Sequence, residues 1–191
     1  MSFKAFQKNK QQFTPRQLLE NRYKTGRYNL LVVILFTLIN LILALTGGES
    51  YFVFSASIPY FLVINAMYLC GRMPADWYDY PKEEYIFEDI STLIVAAVIA
   101  VLILAVFFVL YLMSKKHVGF LIASLVLFAI DTIAMFLLFG FSVDMLVDIV
   151  FHVIVLGYLI SAILAVYKLR RMPPDEPVVV AQTPNDPDFQ Y

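Results

Sequence analysis

Apolar positions in this chain come in long unbroken runs, not in the two-residue alternation of strands or the half-buried stripes of soluble helices. Asn29–Thr46 is 18 residues without a charge, and Leu93–Met113 is 21. At about 1.5 Å per residue, the second run covers about 30 Å, one hydrocarbon core. Two further runs follow. Val118–Gly140 is interrupted mainly by Asp131 and Thr132, and Met145–Tyr167 carries Asp148 and His152. The pattern predicts spans over 29–46, 92–113, 118–140 and 145–167.

Residues 51–70 are also long and uncharged, but Pro59 interrupts them, with Ser55, Ser57 and Asn65 nearby. Charge sorting arbitrates, because Lys and Arg collect on the cytoplasmic side. With five spans, nine bases fall inside and five outside; with four, twelve fall inside and two outside. The four-span reading is better sorted. It makes 51–70 a proline-broken re-entrant or interfacial helix on the outer face. The following stretch, 71–91, becomes an acidic aromatic outer loop containing Asp76-Trp77-Tyr78-Asp79-Tyr80. A break in the backbone at membrane depth must lie against other helices or in the interface, since lipid cannot satisfy its polar groups.

Composition agrees. The 191 residues are 61% hydrophobic, 16% aromatic and only 15% charged. A soluble domain is about 45–50% apolar and about 25% charged. Disordered, disulfide-scaffold and nucleic-acid-binding classes are excluded. The expected class is an all-α integral membrane bundle. Cys70 is the single cysteine, which removes dithiol redox chemistry and a thiolate zinc cage.

The ends read differently. Residues 1–28 hold seven bases against Glu20 alone and form a basic cytoplasmic segment. Thr14-Pro15 starts a short juxtamembrane amphipathic helix that Gly26 can stop, its bases meeting anionic headgroups. No cleaved leader is expected, because no small-residue cleavage site follows the first run. Residues 29–168 are the bundle. Residues 169–191 are rich in proline and read as a disordered cytoplasmic tail.

Candidate chemistry concentrates on the last two spans. Asp144, Asp148 and His152 are spaced i, i+4, i+8 and share one helix stripe. Counted from the intervening turn, Asp131 and His152 differ in depth by only about 3 Å. An intramembrane Asp costs about 2.5–3.5 kcal/mol on insertion scales, so such residues face protein and mark something. Three readings compete: a structural pair locking the hairpin, a proton or ion site at Asp131, Asp148 and His152, and a metal site at Asp144, Asp148 and His152. Gly157, Ser161 and Ala165 form a small-residue row opposite that stripe and predict close helix packing, within the bundle or across a homodimer. Asn40 reads as interhelical polar glue, and Asn65 with the two serines as lining for an outer cavity. No phosphate loop, nucleophile elbow or dinucleotide fingerprint occurs, and no cofactor is implied.

The stretch Asn21-Arg22-Tyr23-Lys24-Thr25-Gly26-Arg27-Tyr28-Asn29-Leu30, followed by Phe54-Ser55-Ala56-Ser57-Ile58-Pro59-Tyr60, resembles small multi-pass membrane proteins of bacteria that carry no assigned activity. The resemblance implies a bacterial plasma membrane and brings no catalytic residues. The span arrangement is also similar to tetraspan proteins, without their cysteine and tryptophan signatures. The expected function is a non-enzymatic scaffold, regulatory or assembly component. Its partners would be the bilayer and a second copy or another membrane protein, not nucleic acid. The alternatives are a small oligomeric transporter or proton-responsive protein, and a metal-dependent enzyme acting on lipid.

Overall fold

The computed structural model describes residues 13–48, 51–140 and 143–173, apart from the side chains of Phe139 and Asp144. Among the described residues all regular structure is helical. Five α-helices run in the order α1 (Pro15–Leu45), α2 (Ser57–Leu69), α3 (Ile90–Met113), α4 (Val118–Phe139) and α5 (Leu146–Leu169). Four of them, α1, α3, α4 and α5, are long and apolar enough to cross a membrane. The protein is a multi-pass membrane helical bundle. At 13 residues, or about 20 Å, α2 is too short to cross.

One helix stands where a juxtamembrane helix and a first span were expected. Thr14 caps α1 with its hydroxyl accepting from the Gln17 amide, and Gln17 reciprocates to the Thr14 amide. The helix then continues through Gly26 for 31 residues. Gly26 does not stop it because its missing side chain is needed elsewhere. A Cβ there would lie 2.4 Å from the Ala162 Cβ and 2.7 Å from the Tyr158 carbonyl oxygen. The glycine lets α1 approach the α5 backbone closely, and α1 with α5 is the most extensively packed helix pair.

The next turn of α1 meets the end of α3. The Arg27 Nε donates to the Ser114 Oγ at 2.8 Å and its Nη2 to the Tyr111 carbonyl at 3.1 Å. The Tyr23 hydroxyl donates to the Ser114 carbonyl. The guanidinium also lies 5.0 Å from the Tyr111 ring centroid. Arg27, expected among the headgroup-facing bases, instead satisfies the last carbonyls of α3. The same stretch of α1 therefore touches the last turn of α3 and residues 158–162 of α5. The start of α1 and the end of α5 run on past the α3–α4 turn as a two-helix projection, and the Arg16 Nη1 meets the Pro173 carbonyl there.

At the opposite end, Gly47 (φ +76°) turns the chain after α1. Residues 52–56 lie against α1 ahead of α2. Beyond α2, residues 70–89 fold over an aromatic knot. The Tyr78 ring stacks on Tyr68 at 4.8 Å and meets Tyr85 and Phe87 edge-on. Lys82 Nζ lies 4.9 Å from the Tyr78 centroid and donates to the Gly71 and Met73 carbonyls. Asp89 then caps α3, accepting from the Ser91 amide at 2.8 Å, and that hydrogen bond holds its carboxyl below the ordinary carboxylate range. Because the folded value is the lower one, this capping is present above the ordinary carboxylate pKa of about 4. It is lost as pH falls through the folded value. Exchange of the Ser91 amide is expected to accelerate in that acid window, and to become pH-insensitive beyond the intrinsic rate in Asp89→Ala.

Candidate functional site, a buried polar lock

Residues 51–56, ahead of α2, are irregular and lie beside the spans, where a membrane core would leave backbone groups without water to bond. Three side chains from the spans take them up in order. Asn40, fully buried, accepts from the Phe52 amide at 2.8 Å and donates to the Phe52 carbonyl at 2.8 Å, as a neighbouring strand would. Its Nδ2 also reaches Ser55 Oγ at 2.9 Å. Thr37 Oγ1 accepts from the Ala56 amide at 2.7 Å while donating to the Val33 carbonyl of its own helix. Thr37 stands eight residues before the end of α1, so this contact lies about 12 Å inside the bundle.

Asp131 of α4 completes the sequence. Its Oδ2 accepts from the Ser57 amide and its Oδ1 from the Ile58 amide, each at 2.8 Å. Pro59 follows and has no N–H. The first three residues of α2 therefore leave no backbone donor unpaired. The carboxylate also faces the positive end of the α2 dipole. Pro59 belongs to the first turn of α2, where its fixed φ suits a helix start. The helical part of the 51–70 segment thus begins at Ser57, and residues 51–56 before it are irregular.

His152 of α5 closes the cluster from the far side, its ring stacked on Phe128 at 5.1 Å. His152 and Asp131 are 1% and 2% exposed. The ring Nδ1 lies 2.9 Å from the Asp148 carbonyl, which can only accept, so Nδ1 carries a hydrogen. The Nε2 lies 3.4 Å from both Asp131 Oδ2 and Ser57 Oγ. In the neutral ring Nε2 accepts from the Ser57 hydroxyl. In the charged ring it donates to Asp131. The expected Asp131–His152 pairing is therefore present, and a backbone helix start is held with it.

Serine, histidine and aspartate together do not make a nucleophile relay here. In such a relay the carboxylate orients the imidazole through the nitrogen opposite the one that takes the hydroxyl proton. Here hydroxyl and carboxylate crowd one nitrogen, and a main-chain carbonyl holds the other.

No family model, curated protein or solved structure matches this chain. Its function rests on geometry.

Asp148 joins the cluster through its main chain, and its Oδ1 is buried without a hydrogen-bond partner among the described residues. The Asp144 side chain lies outside the described residues. Among those described, no group of three His, Cys, Asp or Glu is arranged to hold a metal. Asn65 donates to the Phe61 carbonyl of its own helix and is exposed. Of the small-residue row, Ala165 is buried, whereas Gly157 is exposed with nothing within 4 Å of where a Cβ would stand. The close helix approach is made by Gly26 on Ala162. Gly157, Ser161 and Ala165 instead line a groove between α1 and α5, together with Arg22 and Lys168.

Sequence reasoning missed Thr37 and the service that Asp131 gives to α2. A lone threonine in an apolar run carries no signal, and a backbone amide as partner leaves no mark on residue type. The available cue was Ser57-Ile58-Pro59, a polar residue and a proline at the spacing of a helix start.

Proposed function

We propose that this protein is a non-enzymatic component of the bacterial plasma membrane, which scaffolds or assembles with a partner in the bilayer. The observation carrying this reading is the use of the polar cluster: both oxygens of Asp131 are engaged by the amides of α2. Such an arrangement fixes shape, because the Asp131 carboxylate is spent on holding the start of α2. The N- and C-terminal segments lie on the cytoplasmic face in this reading. Twelve of the fourteen bases fall in residues 1–28, 114–117 and 168–191, and among the described residues the contacts of Arg16 with Pro173 and of Arg27 with Ser114 bring the start of α1, the end of α3 and the end of α5 together.

The second reading, a proton-responsive protein, is favoured by one feature: His152 Nε2 sits between a donor and an acceptor and keeps a partner in either protonation state. Reconstitution in vesicles with an internal pH dye separates the two. On the scaffold reading, wild type and His152→Gln leak protons equally, and a stoichiometric membrane partner co-purifies. A proton flux in wild type that His152→Gln abolishes while remaining folded would replace the scaffold by the proton-responsive reading. Reporters fused to Tyr191, one active only inside and one only outside, test the orientation. Activity of the outside reporter would overturn it.

A further inference from the structure

The projection formed by the start of α1 and the end of α5 carries a groove along its seam. Two adjoining hollows, of about 380 and 200 Å³, share Arg22 and Ser161 as lining. We propose that this seam binds one anionic phospholipid, with the headgroup phosphate between Arg22 and Lys168 and an acyl chain along Gly157 and Ile160.

Charge is the first reason. Arg22 and Lys168 come from different helices and line the same hollow. Neither side chain has an ion pair or hydrogen bond among the described residues, whereas the neighbouring Arg16 is paired with Glu20 and Arg27 with α3. Glu20 is the one acid in residues 1–28, and it is already taken. An anion is the complementary occupant, and arginine with lysine suits a phosphate.

Shape is the second reason. On α5 the lining runs from Lys168, one residue before the helix ends, inward through Ser161 to Gly157, more than two turns deeper. The hollow is thus polar and basic at its mouth and apolar along its floor, which is the profile of a lipid and not of a free ion. The space beside Gly157 is open, so a chain can pass where any larger residue would stand.

The test titrates the purified full-length protein with phosphatidylglycerol or phosphatidylcholine and counts retained lipid by native mass spectrometry. One phosphatidylglycerol per protein is expected, in preference to phosphatidylcholine. Arg22→Ala with Lys168→Ala is expected to weaken it about 10- to 30-fold, given the attraction of each base near a headgroup. Gly157→Leu leaves the charges in place and fills open space, so it folds, and it is expected to displace the lipid by blocking the chain path. Equal retention of both lipids would overturn the proposal. So would unchanged binding in the double variant. Competition by inorganic phosphate with no effect of Gly157→Leu would make the occupant a free anion and overturn it. A dimer that Gly157→Leu dissociates, with no retained lipid, would give the seam to a second copy. Tighter binding after Asp175→Asn with Glu176→Gln would give it to the chain's own tail.

Discussion

Replacing Asp131 by alanine is expected to cost about 2–5 kcal/mol of stability in mixed micelles. Two amides, Ser57 and Ile58, lose their acceptors at once, and each buried orphan donor costs about 1–3 kcal/mol. The membrane-unfolded reference finds other partners, which keeps the sum toward the lower part of that range. Asparagine is a graded probe. Its oxygen can serve one amide while its NH2 faces the other, so Asp131→Asn is expected to cost about half as much. The check is an SDS unfolding titration, with amide exchange at Ser57 and Ile58 followed in parallel. Both amides should become the fastest-exchanging in α2. Wild-type unfolding together with slow exchange in Asp131→Ala would show that α2 does not depend on this cap.

The second large effect is expected at Gly26. A methyl group there meets the Ala162 Cβ and the Tyr158 carbonyl at distances that real Cβ atoms do not adopt. The carbonyl belongs to the α5 backbone, so relief requires moving a helix. Overpacking of this kind costs about 1–3 kcal/mol, less up to about 1 kcal/mol regained from helix propensity in Gly26→Ala. Gly26→Leu regains a similar propensity but adds a much larger side chain against the α5 backbone, and should prevent α1 from pairing with α5. Ala162→Gly removes one of the two obstructions, so the double variant Gly26→Ala with Ala162→Gly should recover part of the loss. Gly157→Leu is the internal control, because the space beside it is open. If the two leucine variants melt alike, the close approach at Gly26 is not what joins these helices.

The spans were readable because each is an apolar run of the length that lipid demands, and no competing pattern exists at that length. The non-crossing nature of α2 was readable from charge sorting rather than hydropathy, since Tyr51–Cys70 is as apolar as a span. Its true start at Ser57 was not, because the residues before it look equally apolar and are irregular only through Asn40, Thr37 and Asp131. The pairing of Asp131 with His152 followed from helix arithmetic alone. Gly26 was misread as a helix stop: a glycine signals either a break or a close contact, and only the partner helix distinguishes them. The same ambiguity, reversed, governs Gly157, where smallness leaves a groove instead of a contact.

The pairing of α1 with α5 bears on how the protein is made. The most extensively packed pair joins the first helix to the last, so α1 is complete long before its main partner leaves the ribosome. Until α5 arrives, Gly26 faces no Ala162 and Asp131 has no imidazole beside it. Asp131 can already hold α2, however, because α4 precedes α5 in the chain. The expected order of assembly is therefore that α2 is clamped first and the bundle is sealed by its final segment. A ribosome that stalls before Leu146 leaves behind a chain whose Asp131 holds α2 without an imidazole beside it and whose Gly26 faces no partner helix.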